Sequence, residues 1–180
     1  MNLLRPWMIV AALVSGCSPA VTEIAVAVDT DLSIPDEVEE LTLRVDGADG
    51  LNATSRVTLD PASPQLPVHI RVATSESNRN ASVVLTATAL RHVTEDLDDI
   101  QVTATVHTHF VEGKAVLLRV LLTRTCLDTV CDPGQTCSDG ACVDATVNPD
   151  TLPLFTGTLP PPLVDRTDAG VDAGDAGEIF

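Results

Sequence analysis

Residues 100–110 read Ile-Gln-Val-Thr-Ala-Thr-Val-His-Thr-His-Phe. On an extended chain Val102, Ala104, Val106 and Phe110 fall on one side, and Thr103, Thr105, His107 and His109 on the other. A period of two, apolar against polar, is the pattern of a half-buried β-strand, because successive side chains point to opposite faces. The same alternation recurs in both directions from here. Ile24, Val26 and Val28 alternate with Glu23, Ala25, Ala27 and Asp29, and Leu41, Leu43 and Val45 with Glu40, Thr42, Arg44 and Asp46. Val57 and Leu59 sit among Arg56, Thr58 and Asp60, and Val68, Ile70 and Val72 among His69, Arg71 and Ala73. Residues 82–91 and 115–124 complete the set. Abundant Val and Thr suit strands, because a β-branched side chain is stiff and packs well on a pleated surface.

The breakers fall between these runs. Asp46-Gly47-Ala48-Asp49-Gly50, the prolines at 61, 64 and 67, the polar run 75–80 and the pair Glu112-Gly113 all read as turns or loops, the last as a two-residue hairpin. Seven short strands in about 105 residues resemble an immunoglobulin-like or fibronectin-type antiparallel sandwich. The resemblance is at the level of fold. No Cys lies within the strands, and the Trp and Tyr typical of antibody domains are missing, so the expected core is Val, Leu, Ile and Ala. The seventh strand, Ala115 to Leu122, is apolar on both faces, which reads as a central strand covered on both sides or as a surface for another protein. An odd number of up-and-down strands sends the two termini out at opposite ends, so the segment after strand seven should point away from the start of strand one.

Composition narrows the functions. Of 180 residues 10 are Lys or Arg and 26 are Asp or Glu, a net charge of −16. Nucleic acid is excluded as a partner, because its binding needs a basic face. Aromatic residues are 2% of the chain, too few for stacking platforms that hold sugars or single-stranded bases. No Gly-x-Ser-x-Gly elbow, His-Glu-x-x-His pair or phosphate-cradling glycine loop appears, so no enzymatic activity is expected.

Residues 1–16, MNLLRPWMIVAALVSG, have the layout of a signal peptide: Arg5 supplies a positive start and Trp7 to Val14 a short apolar core. The core is too short to span a bilayer, which needs about 20 apolar residues. Val14-Ser15-Gly16-Cys17 resembles the bacterial lipobox, in which the cysteine is lipidated and becomes the new N-terminus. The resemblance implies a lipid-anchored protein, and Ser18 in place of an Asp implies sorting to the outer membrane. The mature chain would then carry nine basic and 26 acidic residues, and the lipid rather than charge would hold it to anionic membranes. Residues 17–21 form the lipidated cysteine and its tether, and 22–125 the sandwich. Three residues, Ser18 to Ala20, keep that sandwich near the membrane, since they reach only about 10 Å.

Residues 126–143 hold Cys126, Cys131, Cys137 and Cys142, with Pro133-Gly134 and Asp139-Gly140 as tight turns. In an exported chain such cysteines form disulfides, and four allow three connectivities. A hairpin tipped by Asp139-Gly140 would set Cys137 opposite Cys142 and leave Cys126 with Cys131. The crossed pairing, 126 with 137 and 131 with 142, resembles small EGF-like and trypsin-inhibitor-like modules. Both stay open. Zinc is the competing use of four cysteines, but its ligands come in close pairs with a longer gap between, and these gaps are nearly equal. The motif is also similar to short cysteine motifs of myxobacterial lipoproteins.

Residues 144–180 are expected to be a disordered tail. Asn148-Pro149, Pro153 and Pro160-Pro161-Pro162 make a stiff connector, and Asp-Ala-Gly repeats at 168–177 a solvated spacer. Two weak metal candidates remain. His107 and His109 share a strand face but lack an evident third ligand, and Asp96, Asp98 and Asp99 lie in an acidic loop of the kind calcium takes, as do Asp29 and Asp31. The sequence thus points to a lipid-anchored envelope protein with an accessory, scaffolding or protein-binding role and an unidentified protein partner. The alternatives are a protease inhibitor whose Cys131–Cys137 loop is the bait, and a calcium-dependent adhesin.

Overall fold

In a computed structural model, which describes residues 21–62, 65–74, 78–91 and 100–164, seven strands form two sheets packed face to face. They are β1 (Glu23–Thr30), β2 (Glu40–Gly47), β3 (Asn52–Thr58), β4 (Val68–Ala73), β5 (Ser82–Arg91), β6 (Ile100–His109) and β7 (Ala115–Leu122). One sheet has the order β4-β1-β7 and the other β3-β2-β5-β6. The all-β sandwich read from the alternation is therefore present. Its inner faces are the alternating apolar sets: Ile24, Val26 and Val28 of β1, with Val116, Leu118, Val120 and Leu122 of β7, meet Leu41, Leu43 and Val45 of β2 and Leu85, Ala87 and Ala89 of β5. Such interdigitation of two inner faces is what holds a sandwich together.

Three expectations need correction. β1 and β7 pair in parallel, Glu23 beside Ala115 and Thr30 beside Leu122, so the sandwich is not wholly antiparallel. Glu112-Gly113 does form a turn, with the Lys114 N–H donating to the Val111 carbonyl at 3.0 Å and Gly113 at φ +70°, but the turn carries the chain from one sheet to the other and closes no hairpin. And β7 is an edge strand. The strand covered on both faces is β1, buried at all eight positions, because Ala25 and Ala27 are small enough for another segment to lie close over them.

That segment is residues 145–164, the supposed start of the disordered tail. It runs as a strap along the edges of both sheets. His107 of β6 donates its N–H to the Ala145 carbonyl (2.8 Å) and accepts from the Val147 N–H (2.9 Å). The Leu117 N–H of β7 donates to the Pro153 carbonyl and the Phe155 N–H to the Ala115 carbonyl, each at 2.8 Å. The Phe155 ring then reaches across the sheet to lie 4.9 Å under the Arg71 guanidinium of β4. Farther on, the Leu163 N–H donates to the fully buried Asp29 carboxylate at 2.6 Å. Prolines do not prevent this, because an edge strand needs only alternate N–H groups. Bare sheet edges invite aggregation, and the strap covers the β7 edge and part of the β6 edge.

Between β1 and β2 the chain is held by one charged cluster. Glu37 accepts from the Ser33 N–H (2.8 Å) and from both the Nε (2.8 Å) and an Nη of Arg124, while Asp31 accepts from the Arg124 N–H (2.6 Å). The Arg124 guanidinium, more than any other contact, holds the Glu37 carboxyl below its ordinary value of 4.5. A carboxyl depressed in the folded state contributes stability in full above its unfolded pKa and loses it as pH falls through the folded one. The gap in melting temperature between the wild type and Glu37→Gln is therefore expected to close on acidification from about pH 7 to about pH 3.

One buried polar atom stands out. Thr108 points inward from β6, 7% exposed, and among the described residues its hydroxyl has no hydrogen-bond partner. Replacing it by valine removes an unsatisfied group at nearly constant shape, so Thr108→Val is expected to raise unfolding stability by about 1 kcal/mol in a urea titration.

Candidate functional site

The cysteines of 126–142 build a small hairpin module against the sandwich. β8 (Gln135–Ser138) and β9 (Ala141–Asp144) pair antiparallel around Asp139-Gly140, and Cys137 stands opposite Cys142 as the turn requires. The facing cysteines do not join each other. Cys126 bonds Cys137 and Cys131 bonds Cys142, with Cα atoms 5.8 and 5.6 Å apart, the crossed pairing. Each bridge ties the hairpin to the loop before it. With all four sulfurs in disulfides, none is left for the zinc reading. Cys126 and Cys137 are buried and belong to the core, against which Leu127, Val147 and Leu152 also pack. The module thus closes the side of the sandwich between β6 and β7.

Where the module leans on β6 it leaves a cleft of about 430 Å³. One wall is β6 itself, with Gln101, Thr103 and Thr105. The other is Asp128, Thr129 and Val130, with Gln135 and Thr136 of β8. The contact is fixed by the Thr105 N–H, which donates to the Thr136 hydroxyl at 2.9 Å. Apart from Asp128, Val130 and the disulfide-bonded Cys131 and Cys137, the walls are neutral hydroxyls and amides. Val130 is 93% exposed, the most exposed large apolar side chain among the described residues. Sequence reasoning placed a bait in the Cys131–Cys137 loop; the exposed apolar residue lies one loop earlier, between Cys126 and Cys131. The polar side of β6 was legible, but the cleft was not, because it depends on where the module docks.

His107 and His109 lie on one face as expected, His107 half-buried and His109 exposed. The Asp144 carboxylate accepts from the Thr146 N–H at 2.7 Å, and that bond first, with the nearby His107 a smaller contribution, holds its carboxyl below the usual range. Among the described residues no three His, Cys, Asp or Glu side chains gather as a metal site. Asp29 accepts from the Thr30 and Leu163 N–H groups, and Asp31 accepts through one oxygen from the Arg124 N–H. Cys17 and the acidic loop with Asp96, Asp98 and Asp99 lie outside the described residues, as do the leader and the Asp-Ala-Gly repeats. No helix among the described residues is long and apolar enough to cross a membrane.

No protein-family model matches this sequence, and neither a curated protein nor a solved structure is significantly similar to it.

Proposed function

We propose that this chain is an exported lipoprotein, anchored through Cys17 in the outer membrane, whose sandwich and disulfide module serve a non-enzymatic, protein-binding role at the cell envelope. The observation that carries this reading is the sequence Val14-Ser15-Gly16-Cys17 at the end of an apolar leader, six residues before β1 begins at Glu23. Two disulfides support it, since such bonds persist in oxidising compartments. The binding half of the reading is supported by the mix of surfaces, a two-sheet body carrying a cleft of hydroxyls and amides with Asp128 on one wall. Cell fractionation with detergent extraction tests the anchor. The wild type should stay with the membrane until detergent is added, whereas Cys17→Ala should lose that attachment; an unchanged distribution would overturn the proposal.

One observation favours a second reading. Val130 is held up in a loop pinned at both ends by disulfides, which is how an inhibitor would present a small aliphatic side chain to a serine protease of elastase type. The full chain should then inhibit such a protease, and Val130→Asp should abolish the inhibition.

A further inference from the structure

We infer that the open stretch of the β6 edge at Gln101 and Thr103, walled by the disulfide module, takes up an extended, positively charged peptide segment of a partner protein as an added strand. This inference rests on the protein-binding role proposed above and supplies its site and partner chemistry.

The backbone carries the argument. In an antiparallel pair, alternate residues direct both N–H and C=O away from their neighbour strand. On β6 these are the odd-numbered residues, as His107 shows by bonding Ala145 and Val147, and Thr105 by bonding Thr136. Gln101 and Thr103 therefore turn their N–H and C=O groups to the same open side, and among the described residues nothing takes them. The cleft lies directly against this stretch. Residues 145–147 are already docked on the same edge through a bridge of Thr146 to His107, so the chain itself shows that the edge accepts an extended segment. Main-chain bonds to a sheet edge supply affinity and the flanking pocket supplies selection.

The other edges are guarded differently. β3 carries Arg56, and β4 carries Arg71. Charge on an edge strand discourages pairing. The window at 101–103 has no charge of its own, and the one charged side chain that lines the cleft opposite it is Asp128; the rest of the module, residues 125–144, adds Asp132, Asp139 and Asp144 outside the cleft and no Lys, Arg or His. A cationic segment is the complementary occupant, and a chain of net charge −16 draws it in. Exposed Val130 on the same wall offers an apolar anchor for one of its side chains.

The test uses the detergent-extracted full chain and a labelled peptide of about ten residues alternating lysine and valine, with a glutamate–valine peptide as its counterpart. Fluorescence anisotropy at low salt should show the lysine peptide binding at least about tenfold more tightly. Thr103→Pro removes one outward N–H and none of the backbone bonds to β5, although its hydroxyl's 3.4 Å bond to Thr88 of β5 goes too, and should weaken that binding about tenfold. Asp128→Lys should erase the preference for lysine. If Thr103→Pro fails to fold, amide hydrogen exchange in the wild type decides: Gln101 and Thr103 should slow on adding the lysine peptide. Unchanged exchange there, equal affinity for both peptides, or lysine-peptide binding that responds to Asp128→Lys but not to Thr103→Pro would each overturn the inference. Absence of binding would do so too, while leaving the Cys17 anchor and binding through other surfaces standing, since those are read by fractionation.

Discussion

Phe110→Ala is expected to lower the unfolding free energy by about 3–5 kcal/mol, the usual range for deleting a buried phenylalanine ring. Phe110 is the largest of the fully buried side chains, 1% exposed, at the point where the chain leaves β6 for the opposite sheet. Its N–H donates to the Ala81 carbonyl at 3.0 Å, so the backbone is held and cannot follow a collapsing side chain. The ring already borders a cavity of about 210 Å³ beside Gly47, Leu51 and Ala81, and losing it would enlarge that void rather than let neighbours fill it. Against a total stability of about 5–15 kcal/mol for an ordinary domain, the loss is a large share. Urea unfolding should show a lower midpoint with an unchanged slope. A loss below about 1 kcal/mol would mean that this end of the sandwich is not packed as described.

The second large effect is the disulfide pair, and it is unequal. Removing Cys126–Cys137 with two alanines should cost about 2–4 kcal/mol and loosen the β6–β7 side of the sandwich, because both sulfurs sit in the core. Removing Cys131–Cys142 should cost the sandwich less. Cys142 is exposed and Cys131 half-buried, so that bridge chiefly holds the loop that carries Val130. Paired urea titrations of the two double mutants read this directly. Equal losses, or a larger loss for the second pair, would contradict the packing of the module against the core.

The seven strands were legible because a period of two needs no knowledge of neighbours. Which strand lies inside was not. Ala115 to Leu122 looked central because it is apolar on both faces, yet β7 is at an edge, with Leu121 36% exposed and Leu117 half-covered by the strap. The doubly buried strand is β1, whose outer face is marked only by the small size of Ala25 and Ala27. The strap itself escaped sequence reading because Pro-rich composition describes its stiffness and not its partners. Its order comes from backbone bonds to His107, Ala115 and Leu117 and from the Asp29 carboxylate, more than 130 residues away from Leu163 in the chain. The cysteine pairing was undecided for a similar reason. Hairpin register correctly placed Cys137 opposite Cys142, but the partners were set by the loops that the two strands cover. Of the candidate site, Thr103 and Thr105 were readable as a polar strand face, whereas the opposing wall of Asp128 to Val130 arises only when the module docks.

Intact mass of the membrane-extracted protein, before and after reduction, reads the Cys17 anchor and the two disulfides together. The expected mass is that of a chain beginning at Cys17, heavier than its amino acids by the attached acyl groups, and it gains about four hydrogen masses on reduction as two disulfides open. A chain that keeps residues 1–16, an unmodified Cys17, or a mass that reduction leaves unchanged would contradict it.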